Sequence, residues 1–206
     1  MRSHLIVALL VVSSWVLAYD YSSVKAILES GASVIVDEDF SYSSIKDFCR
    51  IGRNRVKIFV ANDFCYSSGK EFVSLGGTVV VGGQSSYSSI KEYIAMGKAR
   101  VTLRASKGYQ VDTIKEFLNL GACVIVDESF LTVTIHDLIS IGKERVRIEA
   151  QNDYLTDTIK GFIRAGATVM VDDSFMATTI KELMKLGGQR VKLIINSRSY
   201  GNATLK

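Results

Sequence analysis

The chain has 206 residues, of which 48% are hydrophobic and 22% charged, enough for one domain with a sizeable core and too apolar for a disordered chain. Its formal charge of +4 is small, and Lys and Arg are spread along the chain. That pattern gives no support to nucleic-acid binding.

Met1-Arg2-Ser3-His4 is a short basic start, and Leu5–Leu17 is apolar apart from Ser13 and Ser14. With small residues at Val16 and Ala18, residues 1–18 read as a signal peptide, with a mature chain from about Tyr19 and a secreted, periplasmic or cell-envelope location. An uncleaved anchor is the alternative, but the run is shorter than the roughly 18 residues a span needs, and no later segment is long enough.

From there on the chain is a repeat. A Lys six residues before a Gly recurs at Lys25/Gly31, Lys46/Gly52, Lys70/Gly76, Lys91/Gly97, Lys115/Gly121, Lys160/Gly166 and Lys181/Gly187, with His136/Gly142 as a variant. Spacings alternate between 21 and 24 residues, so the true period is a pair of 45. Each unit opens on Ser or Thr, usually with an acid three residues on, as in Ser44-Ile45-Lys46-Asp47 and Thr179-Ile180-Lys181-Glu182. This reads as a capping box. Apolar residues then follow at helical spacing, Ile114, Phe117, Leu118 and Leu120 for example, and the Gly predicts the helix end.

A short strand follows each helix. Odd units give apolar triplets such as Val34-Ile35-Val36 and Val124-Ile125-Val126. Even units alternate, as in Arg55-Val56-Lys57-Ile58 and Arg145-Val146-Arg147-Ile148, a pattern of half-exposed strands. Eight helix–strand units joined by short loops predict an α/β fold, an open solenoid with a parallel sheet on one side and short helices on the other, over residues 19–200. In layout this resembles the leucine-rich-repeat class, without its Leu-rich strand consensus. A closed (β/α)8 barrel is the alternative. Against it, Arg55, Lys57, Arg145, Arg147, Arg190 and Lys192 would have to point into a closed core. Residues 201–206 read as the opening of a truncated or frayed ninth repeat.

On a solenoid, the exposed sheet face carries a column reading Ile35, Lys57, Val80, Thr102, Ile125, Arg147, Met170, Lys192. Beside it, Arg55, Arg100, Arg145 and Arg190 recur in every even unit, and Phe59 and Arg104 lie on the other flank. Such a face suits an extended, partly acidic protein partner, or else the charges pair among themselves and keep the sheet soluble. Tyr21, Tyr42, Tyr66 and Tyr87 form an aromatic ladder that either binds sugar rings or staples each helix start to its neighbour.

Catalysis has little footing in these residues. The histidines are His4 and His136, no Ser has a base in reach by spacing, and there is no phosphate loop. No metal-ligand spacing is present, so no metal or cofactor is expected. Cys49, Cys65 and Cys123 read as small buried thiols, with a Cys49–Cys65 bridge the other possibility. The sequence reading is therefore a non-enzymatic exported module that binds a protein partner through its sheet face. Its alternatives are a self-assembling array and a carbohydrate-binding face.

Overall fold

The computed structural model describes residues 20–36, 40–60, 66–82, 85–106, 108–151, 154–172 and 174–194. The signal-peptide and ninth-repeat readings, and Cys65 with its bridge, lie outside these residues.

Eight helices alternate with eight strands: α1 Tyr21–Glu29, β1 Val34–Val36, α2 Tyr42–Gly52, β2 Val56–Val60, α3 Tyr66–Ser74, β3 Thr78–Val81, α4 Tyr87–Gly97, β4 Val101–Arg104, α5 Val111–Asn119, β5 Cys123–Val126, α6 Thr132–Gly142, β6 Val146–Ala150, α7 Thr156–Ala165, β7 Thr168–Asp172, α8 Ala177–Gly187 and β8 Val191–Ile194. The strands form one parallel sheet in sequence order, with β1 and β8 at its edges among the described residues.

The helices begin one turn earlier than the capping boxes predict. Asp20, Ser41 and Ser86 are the N-caps, each accepting from the amide three residues on. Ser44 and Ser89 are those amide donors. The repeated Gly has two different jobs. At Gly31, Gly76, Gly121 and Gly166 it takes φ of 93° to 110° just past an odd helix, where a left-handed residue closes the last turn. Even helices instead run through their Gly: a Cβ on Gly52 would stand 2.6 Å from the Leu28 side chain and 2.7 Å from that of Val56. Here hydrogen is needed for close packing of helix on strand. A 3-10 turn such as Arg53–Arg55 then leads into each even strand.

One face of every strand is sealed by the helices. Val56, Ile58, Val101, Leu103, Val146 and Ile148 are fully buried against Phe72, Phe117, Phe162 and the other apolar residues of the helices. Burying each such side chain contributes about 1.5–3 kcal/mol.

The other face decides the architecture. Register runs Val34↔Val56, Lys57↔Thr78, Val79↔Val101, Thr102↔Cys123, Val124↔Val146, Arg147↔Thr168 and Val169↔Val191. Each two-strand step therefore advances 43 residues along the hydrogen-bond register, whereas the sequence repeat is 45. A solenoid with flat, level turns has no such stagger. A sheet of tilted strands coiling toward a barrel requires one.

With the stagger, inward side chains from alternate strands fall into common layers, as barrel interiors do. Lys57, Thr102, Arg147 and Lys192 make one layer, and Phe59, Arg104, Glu149 and Ile194 another. Contacts between residues 45 apart follow these layers: Arg147 Nη1 lies 3.5 Å from Thr102 Oγ1, Arg104 Nη2 2.5 Å from Glu149 Oε1, and the Arg104 guanidinium 5.9 Å from the Phe59 ring centre. The sheet is thus curled into a half-barrel, and the open solenoid is corrected. The predicted column is corrected with it, because Lys57 sits beside Thr78 and Phe59, not Lys57, beside Val80.

Candidate functional site in the half-barrel

The concave interior collects charge that the sequence places on alternate residues of the even strands. In the deeper layer Lys57 and Arg147 are half-buried, Thr102 is fully buried and Lys192 is exposed. Lys57 is electrostatically coupled to both Arg147 and Lys192, and burial together with these two cations pulls its ammonium pKa below the usual lysine value. Strands β2 and β8 would be about 29 Å apart on a flat sheet, far beyond such an influence. Curling the sheet shortens that separation.

Above this layer, toward the strand C-termini, Glu149 is three-quarters buried and paired with Arg104. Burial pushes its carboxyl pKa up, Arg104 opposes the shift, and Asp127 and Glu128 reinforce it. Asp127 and Asp172 stand at the C-terminal ends of β5 and β7, each accepting from the backbone amide and hydroxyl of the Ser two residues on. The Tyr154 hydroxyl is buried without a hydrogen-bond partner, and burial beside Glu128 and Asp127 raises its pKa to about 12. A cationic floor under a carboxylate rim can hold an anion and move a proton. Among the described residues no group of His, Cys, Asp and Glu is placed to hold a metal ion.

The other residues singled out from sequence go elsewhere. Arg55, Arg100, Arg145 and Arg190 end the 3-10 turns before the even strands, and their guanidinium groups donate to carbonyls at the ends of odd helices: Arg55 to Leu28 and Ala32, Arg100 to Val73, Arg145 to Leu118 and Ala122, Arg190 to Ile163. They do not join Lys57, Thr102 and Arg147. The objection that the arginines would fill a barrel core is thereby removed for half of those residues. The other half are the site.

The aromatic ladder lies on the helical exterior. Tyr21 stacks on Phe48, and Tyr42 and Tyr87 pack on Phe72 and Phe117 at 5.5 Å between ring centres. The Tyr87 hydroxyl donates to Glu116, Tyr42 donates to Glu71, and Lys91 and Lys46 sit over the two rings. Tyr66 opens α3. His136, in place of the usual Lys, is exposed and packs against Phe162. Cys49 and Cys123 are free thiols, and burial raises Cys49 to about 12. Sequence reasoning places Glu149 on the flank with Phe59 and Arg104 but does not single it out as a site residue. The signal available was its position, 45 residues after Arg104 in the repeat.

No protein-family model matches the chain, and no curated protein sequence matches it. Among solved structures it is similar to one described as native KDPGal, at 10% identity over 78% of this chain and 80% of that one, with a TM-score of 0.50. It is also similar to an HpcH/HpaI aldolase from Desulfitobacterium hafniense DCB-2 at 13% identity, covering 89% and 85% with a TM-score of 0.48. A third is a truncated 3-deoxy-D-arabino-heptulosonate 7-phosphate synthase from Thermotoga maritima at 9% identity, covering 80% and 74% with a TM-score of 0.46.

The first likeness shows the fold: of the two architectures weighed from sequence, the (β/α)8 barrel type fits better than the solenoid. The expectation of a leucine-rich-repeat-like, non-enzymatic module is corrected accordingly. That reading, with its protein-binding, self-assembling and carbohydrate-binding variants, drew its force from solenoid architecture. The fold here is of a kind that enzymes use. Among the described residues no helix is long and apolar enough to cross a membrane.

Proposed function

We propose that this chain is an enzyme whose reaction centre lies inside the half-barrel, at the C-terminal side of the strands. The observation that carries the reading is the Arg104–Glu149 pair, an ion pair aimed into the interior with a carboxyl whose pKa burial raises. A carboxyl tuned upward is suited to general acid–base work, and Arg104 beside it can stabilise negative charge that develops on an oxygen. In barrel folds this end of the sheet is where chemistry is placed. The reaction class is proton transfer next to a carbonyl of a small organic anion.

The test is proton NMR in deuterated water with a panel of 2-oxo acids, following deuterium incorporation at the carbon beside the carbonyl. Exchange by the wild type that Glu149→Gln abolishes supports the reading. Exchange that survives the substitution, or none with any of the acids, sinks it.

The same stagger supports full closure of the barrel. Three two-residue shifts occur, at β2–β3, β4–β5 and β6–β7. A fourth, between β8 and β1, would bring the shear to the eight of a closed eight-stranded barrel. Repeating the even-to-odd register sets Lys192 beside Ser33, Leu193 beside Val34 and Ile194 beside Ile35. Ile35 is 65% exposed and Leu193 40% exposed along the two open edges, while their repeat counterparts Val80 and Leu103 are buried. Closure would cover both.

A further inference from the structure

The deeper layer of the interior is electrostatically incomplete. Lys57, Arg147 and Lys192 project from β2, β6 and β8 at one level, two to six strands apart along the sheet, and Lys57 lies within the electrostatic reach of the other two. Among the described residues none of the three is ion-paired: the chain's nine salt bridges there all use other cations. Among the described residues the hydrogen bonds of the Arg147 guanidinium go to neutral groups, the Thr102 hydroxyl at 3.5 Å and the Cys123 thiol at 3.6 Å. Like charges gathered on a partly desolvated surface repel, and a chain selected for stability alone would place apolar residues there, as it does at the neighbouring Val80 and Ile125.

We propose that Lys57, Arg147 and Lys192 form the floor of a binding site for a small, multiply charged oxyanion, the phosphate or paired-carboxylate group of the substrate. Arg147 supplies a planar fork for two oxygens, Lys57 and Lys192 supply rotatable point charges, and the buried Thr102 hydroxyl holds the Arg147 fork in place. The site lies at mid-strand, below the Arg104–Glu149 layer, so a bound anion presents the rest of its carbon skeleton to the acid–base pair. This substrate class rests on the enzymatic reading above.

Thermal unfolding and titration calorimetry of the full chain with inorganic phosphate and with malonate, each against chloride at matched ionic strength, test the assignment. One of the two dianions should raise the melting temperature where chloride does not; the stronger of them distinguishes a phosphate site from a carboxylate site. Lys57→Met and Arg147→Met should each weaken binding at least tenfold, and Lys57→Met should melt higher than the wild type without ligand. Lys192→Met, at an exposed position, provides a variant whose folding is not in question and should also weaken binding. Equal shifts with chloride, or variants that bind as tightly as wild type, overturn the proposal. Specific dianion binding without proton exchange on any 2-oxo acid would leave the site standing and remove only the acid–base reading.

Discussion

Arg145 donates from Nη1 to the carbonyl of Leu118 at 2.5 Å, and the same nitrogen lies 3.1 Å from the carbonyl of Ala122. One guanidinium thus ties the end of α5 to the turn after it, adding to the Gly121 amide that the Leu118 carbonyl already accepts, at a helix end where the dipole favours a cation. Arg55 repeats the arrangement on Leu28 and Ala32. The regular arginine of the even units is therefore a clamp between successive units. Replacing Arg145 with Ala should cost about 2 kcal/mol, or a fall in melting temperature of roughly 6 °C for a chain of this size. Arg145→Lys should recover only part, because a single ammonium cannot span two carbonyls as well. A melting temperature unchanged in Arg145→Ala would show that the clamp contributes nothing.

The 3-10 turns store strain that one unit avoids. Arg53, Lys98 and Lys143 adopt φ of 46° to 50° with ψ near −120°, a region that disfavours side chains, and the fourth equivalent is Gly188 at φ 56°. Lys98→Gly should stabilise the protein by about 1 kcal/mol, read as a higher urea midpoint with an unchanged slope. A lower midpoint would mean that the Lys98 side chain, which packs on Gly121, contributes more than the backbone strain costs.

How much of this was legible in the sequence follows from what a repeat encodes. Helix, strand and unit order were, because the 21/24 alternation and the apolar spacing are local properties. Register was not: Lys57 beside Thr78 rather than Val80 depends on strand tilt, which no single unit specifies. The 45-residue spacing of Arg104 from Glu149 and of Thr102 from Arg147 held the layers in plain view, but it reads as layers only once the stagger is known. The Arg column misled because Arg55 and Lys57 look like alternate residues of one strand. In fact Arg55 belongs to the preceding turn.

Cap quality divides the chain into halves. Ser41 and Ser86 cap α2 and α4 through their hydroxyls, whereas their equivalents Leu131 and Met176, both 73% exposed, make no side-chain cap bond to α6 and α8. Leu131→Ser restores the acceptor and removes an exposed apolar side chain. A gain of about 1 kcal/mol is expected, measured by thermal unfolding against Leu155→Ser, which makes the same repair at α7. If neither raises the melting temperature, the second-half N-caps are already satisfied by solvent.

Ionisation of Glu149 sets a pH dependence whose sign is fixed by the direction of its shift. Its folded-state carboxyl pKa lies above the ordinary value of 4.5, chiefly through burial. At pH below 4.5 the group is protonated in both the folded and the unfolded chain and contributes nothing to the difference. As pH rises from there to the folded pKa, the unfolded chain gives up its proton while the folded chain keeps it, so stability falls, and the loss levels off above the folded value. Glu149→Gln never ionises. The melting temperature of the variant minus that of the wild type should therefore climb as pH is raised from about 4 and then flatten. A difference that stays flat, or falls with pH, would mean that the ion pair with Arg104 outweighs burial and that Glu149 is an ordinary carboxylate.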